Sequence, residues 1–298
     1  MLVDFHVHST ASDGTFAPRE LAAAAEEKSF AAIAITDHDN TDGAEEFLLA
    51  GRGMRGKGCG TLFLAGVELS IDPGEGFDKF HLLGLGVDRG NERLNDLLGR
   101  VLAGRNERNE RIFENFRRIG IPDIAPEPHG EVLARPHFAS WLCSHGYATS
   151  VSEAFEKYLL PDSPRETRCY EERFHPSQEE AFAAVHAAGG LCVMAHPRFW
   201  RRGWKISGPE YGDAERGLAA LKEKGLDGLE AHYQANAPGE NHAFEMVATR
   251  LGLLKTAGSD FHGAHKPTIR LGMEVSDRFI RPFLERAAPL AIRAGDMV

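Results

Sequence analysis

The chain has 298 residues, 42% hydrophobic and 26% charged, and a formal net charge of −10. That is room for one large domain or two modest ones. The acidic balance argues against a broad basic nucleic-acid face, though it leaves room for a small anion where bound metal ions invert the local field. No window approaches ~18 uninterrupted apolar residues, and Met1-Leu2-Val3-Asp4 lacks a basic start followed by a long apolar run. A cytoplasmic protein is therefore expected. Cys59, Cys143, Cys169 and Cys192 form no C-x-x-C pair, which predicts reduced thiols and neither a zinc finger nor a disulfide framework.

Leu2 to Val7 reads as a strand, with Val3, Phe5 and Val7 on one side and Asp4, His6 and His8 on the other. Pro18 to Lys28 is a helix with proline near its first turn. Ala31 to Thr36 is a second strand, followed by a helix from Thr41 to Ala50 and a glycine-rich loop from Gly51 to Gly60. Leu62 to Leu69 and Phe80 to Val87 flank the turn signal Asp72-Pro73-Gly74-Glu75-Gly76 and predict a hairpin. A long charged helix spans Asn91 to Ile119, and Arg105 to Arg118 reads as a charged, solvated helix face. Shorter helices follow near 136–145 and 151–159 without intervening strands. Further on, strands Leu191 to Ala195, Gly228 to Ala231 and Leu253 to Ala257 alternate with helices near 177–189, 213–224 and 239–251. The alternation predicts an α/β fold with a mainly parallel sheet or barrel. Residues 1–98 and 191–298 would form it, with 99–190 as a helical insert.

Chemistry-bearing residues gather where strands end. His6 and His8, two apart on a strand, project from one face and can grip one metal ion. The second strand runs into Thr36-Asp37-His38-Asp39 and the third into Gly66-Val67-Glu68-Leu69-Ser70. Later strands end at Met194-Ala195-His196-Pro197 and Gly258-Ser259-Asp260-Phe261-His262. In parallel α/β architectures the loops at the carboxyl ends of strands converge on one crevice. Each motif alone has a bland alternative: Asp37 as a helix cap, His196 as a turn residue. The set together does not. His81 starts its strand, but in a hairpin its strand would lie beside the end of the preceding one and face Glu68.

The series D-x-H-x-H-S, an aspartate five residues after the second histidine, T-D-H, G-x-E, A-H-P and S-D-x-H resembles the polymerase and histidinol phosphatase (PHP) superfamily of metallophosphoesterases. Arg135-Pro136-His137-Phe138-Ala139 and Phe155-Glu156-Lys157-Tyr158-Leu159 resemble segments of its stand-alone bacterial branch of nucleoside 3′,5′-bisphosphate phosphatases and 5′→3′ exoribonucleases. The resemblance implies a distorted seven-stranded (β/α)7 barrel with a helical insert domain, and two or three divalent ions (Mn²⁺, Zn²⁺ or Fe²⁺). It assigns one ion to His6, His8, Glu68 and Asp260, a second to Glu68, His81 and His196, and a third to Asp13, His38 and His262. Many relatives carry histidine where this chain has Asp13, which bears on the third ion.

Arg135 and His137, at a predicted helix start, are candidates for holding a phosphate, and Lys157 and Arg198 for adding positive charge. His232, His242 and His265 fall near the site in sequence. His129, His145, His175 and His186 read as ordinary surface or loop histidines. No serine or cysteine nucleophile motif is present, so direct attack by metal-activated water is expected.

The expected activity is hydrolysis of a phosphate monoester, foremost the 3′-phosphate of nucleoside 3′,5′-bisphosphates. The alternatives are cyclic-nucleotide phosphodiesterase or 5′→3′ short-RNA exonuclease activity, then a histidinol-phosphate phosphatase or a non-catalytic metal-binding scaffold. An amidohydrolase would want a metal-bridging lysine, and none follows a predicted strand in the right place, Lys255 lying within one. The expected partner is a small phosphorylated substrate, a nucleotide or short RNA end, with no membrane and no stable protein partner.

Overall fold

The computed structural model describes residues 1–53, 60–74, 78–127, 133–200 and 212–293. Cys59, His129 and the Glu75-Gly76 end of the turn signal lie outside the described residues. Two compact units emerge, Met1–Leu98 with Pro176–Val298, and Gly99–His175. The strands are β1 (Leu2–Asp4), β2 (Ala32–Ile35), β3 (Leu62–Ile71), β4 (Phe80–Leu85), β5 (Leu191–Met194), β6 (Gly228–Tyr233), β7 (Leu254–Gly258), β8 (Met273–Glu274) and β9 (Ile292–Arg293). The helices are α1 (Pro18–Glu27), α2 (Ala44–Gly53), α3 (Glu92–Arg118), α4 (Arg135–Ser144), α5 (Val151–Ala154), α6 (Gln178–Ala187), α7 (Gly212–Glu223), α8 (Glu240–Leu251) and α9 (Asp277–Ala287).

In the first unit β1 to β7 are neighbours in chain order. The segment after β1 returns to the segment after β7: Phe5 N–H donates to Ala257 O (3.0 Å), Asp260 N–H to His6 O (2.9 Å) and His8 N–H to Phe261 O (3.0 Å). These bonds bring the ends of the sheet together into a nearly closed seven-strand ring. Six of the strands run parallel, while β4 is antiparallel to both neighbours. The short β8 and β9 add antiparallel to β1 and β3, giving nine strands in the described sheet. Strands covered on both faces lose the apolar–polar alternation. Ala32-Ile33-Ala34-Ile35 is accordingly buried at every position.

Helix α1 shows local consistency: Pro18 opens it, the Glu20 carboxylate accepts from Ala17 N–H (2.8 Å), and Leu21, Ala22 and Ala25 face inward. Helix α6, which the sequence reading had placed in the insert, belongs to the first unit. It starts on Ser177, whose hydroxyl accepts from Glu180 N–H (3.2 Å), and packs on the sheet so closely that a Cβ at Gly84 would lie 2.9 Å from a Val185 methyl.

The second unit has its own core of Ile112, Phe116, Phe138, Ala139, Leu142, Tyr158, Leu159 and Cys169. Within α3, Arg111, Glu114, Arg117 and Arg118 are exposed as a solvated face should be, but Arg105, Arg108 and Asn109 are buried on the stripe that continues to Ile112 and Phe116. The expectation of a charged face therefore fails at Arg105 and Arg108. Cys143, Cys169 and Cys192 are free thiols.

Candidate metal centre

All nine residues named as metal ligands come together at the carboxyl ends of the first unit's parallel strands, around Glu68 on β3. Its Oε2 lies 3.3 Å from His6 Nε2, 3.2 Å from His8 Nε2 and 2.9 Å from His38 Nδ1. Its Oε1 lies 2.8 Å from His81 Nδ1 and 3.1 Å from His196 Nε2. The β3–β4 register sets His81 opposite Ser70, two residues from Glu68, as the hairpin reading required. Asp260 Oδ1 sits 3.6 Å from His6 Nε2, 3.5 Å from His8 Nε2 and 3.4 Å from His262 Nδ1. Asp13 Oδ1 lies 3.2 Å from His262 Nε2, and its Oδ2 lies 3.8 Å from His38 Nε2.

The donors suit cations on their own chemistry. Buried polar atoms in folded proteins nearly always find a hydrogen-bond partner. Here His6 Nε2, both ring nitrogens of His8 and Glu68 Oε2 are buried without one. Three overlapping donor sets have ligand atoms close enough to share an ion: His8, Asp13, His38 and His262; His6, His8 and Glu68; His38, Glu68 and His81. Charge agrees with geometry. Burial opposes the Glu68 charge, yet the histidines around it hold the carboxyl well below its usual range. Burial likewise opposes a charged His8, but Asp260, Glu68 and Asp13 raise it to about 9. The field that makes His6 and His8 basic is the field that would hold a cation.

Neighbouring side chains fix the cluster. Glu230, absent from the sequence reading, is fully buried on β6; its Oε1 lies 3.0 Å from His6 Nδ1 and its Oε2 accepts from His196 N–H (2.6 Å). A carboxylate behind a ligating imidazole sets its tautomer and orientation. Asp37 is neither ligand nor helix cap: it accepts from Ser9 N–H (2.7 Å), the Ser9 hydroxyl (2.7 Å) and the Ser12 hydroxyl (2.6 Å), tying the loop that carries Asp13 to the end of β2. Asp4 does the same for the last strand end, accepting from Ser259 N–H (2.9 Å) and its hydroxyl (2.6 Å), and burial pushes its carboxyl up to about 6. Asp39, His196 and Asp260 all adopt positive φ (58°, 25° and 60°), a conformation costly for residues with a Cβ and concentrated at functional sites.

The profile of the PHP domain family matches residues 4–167, more than half of the chain. The chain belongs to the PHP family. It is 31% identical over 265 residues to a 3′,5′-nucleoside bisphosphate phosphatase of Chromobacterium violaceum, covering 87% of each chain. It is 29% identical over 283 residues to the 5′-3′ exoribonuclease Rnm of Escherichia coli, covering 92% of this chain and 89% of that one. Among solved structures, an amidohydrolase from Chromobacterium violaceum with bound sulfate and no metal superposes with a TM-score of 0.79 at 28% identity, covering 99% and 98% of the two chains. A protein from Bifidobacterium adolescentis, assigned as a metal-dependent phosphoesterase, superposes at 0.70 with 29% identity, covering 95% and 96%. The protein is a metal-dependent phosphoesterase of the PHP family, a hydrolase of phosphoric esters.

The donor cluster of this PHP enzyme opens into a cleft of about 430 Å³ in the first unit, with Lys79, Lys266, Phe199, Trp200 and Tyr233 on its walls. Sequence reasoning missed Lys266 and Tyr233. Both act on Asp260 Oδ2, Lys266 Nζ at 2.6 Å and the Tyr233 hydroxyl at 3.0 Å. A lysine does follow β7 into the site, then, but as an ammonium paired with a carboxylate rather than a bridging ligand. Lys255 points to Glu245 (3.5 Å). His232 turns away, stacking on Phe279 (4.1 Å) beside Glu245 (3.3 Å); His265 Nδ1 meets the backbone oxygen of Asp13 (2.7 Å), and His242 is exposed. Of the histidines read as ordinary, His186 pairs with Asp227 (2.8 Å), His175 with Glu172 (3.1 Å), and His145 stacks on Trp141 (3.9 Å).

The proposed substrate residues divide between the units. Arg198, in the first, gives its guanidinium to Ala235 O and Glu240 (3.6 Å). Arg135, His137 and Lys157 belong to the second. Arg135 and His137 occupy the first turn of α4, where His137 Nδ1 accepts from Ala134 N–H (2.9 Å) and Arg135 Nη1 donates to Leu159 O (3.3 Å). Lys157 is half-buried, its ammonium 3.3 Å from Tyr147 O. No helix among the described residues is long and apolar enough to cross a membrane.

Proposed function

We propose that this enzyme releases the 3′-phosphate of nucleoside 3′,5′-bisphosphates. The carrying observation is the cleft, in which the Glu68-centred donor cluster lies below a wall of Phe199, Trp200 and Tyr233. A phosphoryl group fits the charged floor and a flat base the aromatic wall. Nitrogen and oxygen donors without thiolate suit Mn²⁺, Zn²⁺ or Fe²⁺. Two or three such ions, held by His6, His8, Asp13, His38, Glu68, His81, His196, Asp260 and His262, would supply Lewis acidity toward phosphoryl oxygens and a water acidic enough to attack at neutral pH.

The chain's own residues do the rest. Glu68 joins the two main donor sets and balances their charge, Glu230 holds the His6 ring, and Lys266 and Tyr233 hold the second oxygen of Asp260. Arg135 and His137 are assigned to the phosphate that is not cleaved. Lys157 and Arg198 are left out of the substrate site because their cationic groups meet other partners, the first Tyr147 O and the second Ala235 O and Glu240.

The 29% identity with the Escherichia coli exoribonuclease supports a second reading, stepwise 5′→3′ trimming of short RNA. Both reactions break an ester at a 3′-phosphorus. The test is a phosphate-release assay on adenosine 3′,5′-bisphosphate beside chromatography of products from a 5′-phosphorylated oligoribonucleotide. Free phosphate with AMP from the first supports the phosphatase. Mononucleotides from the second, with no phosphate released from the first, would replace it with the exonuclease.

A further inference from the structure

The stretch that follows β7 brings a lysine to the metal centre by a route that local structure fixes. Gly263–His265 form one tight turn against the loop carrying Asp13: Ala264 N–H donates to the Thr15 hydroxyl (2.9 Å) and His265 Nδ1 meets Asp13 O (2.7 Å). Gly263 has φ 63°, and a Cβ there would run into the Thr15 hydroxyl oxygen. Lys266 N–H closes the turn on Gly263 O (3.2 Å), so the lysine stem starts from a pinned backbone. Its ammonium ends 2.6 Å from Asp260 Oδ2, the oxygen that also accepts from the Tyr233 hydroxyl (3.0 Å). The other oxygen of Asp260 faces His6, His8 and His262. A lysine that only balanced Asp260 could be buried with it. The Asp260 side chain is 8% exposed, but that of Lys266 is 39% exposed, on the wall of the cleft. An ammonium carries three donors, and Asp260 takes one. The other lysine lining the cleft, Lys79, lies 3.5 Å from Asp72.

We propose that Lys266 contacts the reacting phosphoryl group and makes the cleft select a phosphate monoester over a diester. Near neutral pH a monoester is largely a dianion with three non-bridging oxygens, whereas a diester is a monoanion with two. A fixed ammonium beside the donor cluster gains more from the dianion. A charge-assisted hydrogen bond to the oxygen that carries a diester's second substituent widens the difference. Lys266 thus touches substrate, beyond its hold on Asp260. The contact itself needs only a phosphoesterase; its meaning as selection of a terminal 3′-phosphate over an internucleotide bond rests on the proposed reaction.

The test compares full-length, metal-loaded wild type, Lys266→Met and Lys266→Arg on p-nitrophenyl phosphate and on bis(p-nitrophenyl) phosphate. Lys266→Met should lose roughly 10- to 150-fold in kcat/KM on the monoester and several-fold less on the diester. Lys266→Arg, which keeps the charge, should recover part of the monoester loss. Binding without turnover gives a second readout. In calorimetric titration at mildly alkaline pH, the dianion phenylphosphonate should bind Lys266→Met about tenfold more weakly or worse, and its monoanionic methyl ester should lose less. Metal content by elemental analysis should match wild type. Equal losses on the two esters, whether or not metal is lost, would reduce Lys266 to a positioning residue for Asp260. Unchanged selectivity in all three proteins would show that it meets no phosphoryl oxygen. Either result overturns the proposal. A wild type that prefers the diester, with the selective loss in Lys266→Met still seen, would keep the lysine's role and reject the proposed 3′-monoester substrate.

Discussion

Glu68 is where most of the site's electrostatics meet, since its two oxygens face five imidazoles at 2.8–3.3 Å. Glu68→Gln preserves shape and removes the charge shared by two donor sets. A fall in kcat of at least ~10³-fold is expected, about 4 kcal/mol of barrier, measured on p-nitrophenyl phosphate with folded protein; near-normal turnover would remove Glu68 from the centre. Glu230→Gln acts through His6 and should weaken metal affinity roughly 10- to 100-fold, read by competition with a chelating dye, and excess metal should restore much of the activity. Glu230 shows why the donor cluster was legible and its support was not. Ligand motifs repeat at strand ends in a recognisable series. Glu230 sits inside a strand, and simple alternation would put it on the same face as His232. The register shift between the two separates them, sending Glu230 to His6 and His232 out to Glu245. No residue type in the sequence announces that bulge.

Among the elements, the hairpin was readable because Asp72-Pro73-Gly74 is a local turn signal, and its antiparallel register places His81 beside Glu68. Elements whose place depends on distant partners were read less well. Helix α6 has a readable start at Ser177, but its membership of the first unit rests on packing against the sheet, on β5 and β3, with Val185 lying over Gly84 of β4. That contact can be tested. Gly84→Ala puts a Cβ 2.9 Å from Val185, so destabilisation by about 1–3 kcal/mol is expected in denaturant titration, with part recovered in Gly84→Ala/Val185→Ala. An equal loss in single and double variants would mean that the strain lies elsewhere. Helix α3 misled for a different reason. Charge runs on helices are usually solvated, and the burial of Arg105 and Arg108 is imposed by other segments of the second unit rather than by anything local.

At the scale of the molecule, the closing bonds between the β1 and β7 ends gather donor residues from His6 to His262 into one cluster. Two or three transition-metal ions per chain are expected by elemental analysis, and EDTA should abolish activity and lower Tm. Less than one equivalent, with activity surviving chelation, would reject the centre.

The division of labour between the two units is a separate matter, carried by Arg135 in one and His38 in the other. If the second unit recognises a phosphate that is not cleaved, Arg135→Ala should lower kcat/KM on a nucleoside 3′,5′-bisphosphate by roughly 10- to 150-fold, the equivalent of a charge-assisted hydrogen bond of ~1.5–3 kcal/mol. Hydrolysis of p-nitrophenyl phosphate, which has only the phosphate to be cleaved, should be nearly unaffected, and metal content should not change. His38→Ala removes a donor 2.9 Å from Glu68 and should impair both substrates together while lowering metal content. Measuring both variants on both esters separates recognition from chemistry. Equal losses on the two esters for Arg135→Ala would place Arg135 at the reacting phosphoryl group, and the bisphosphate assignment would lose the support that the second unit gives it.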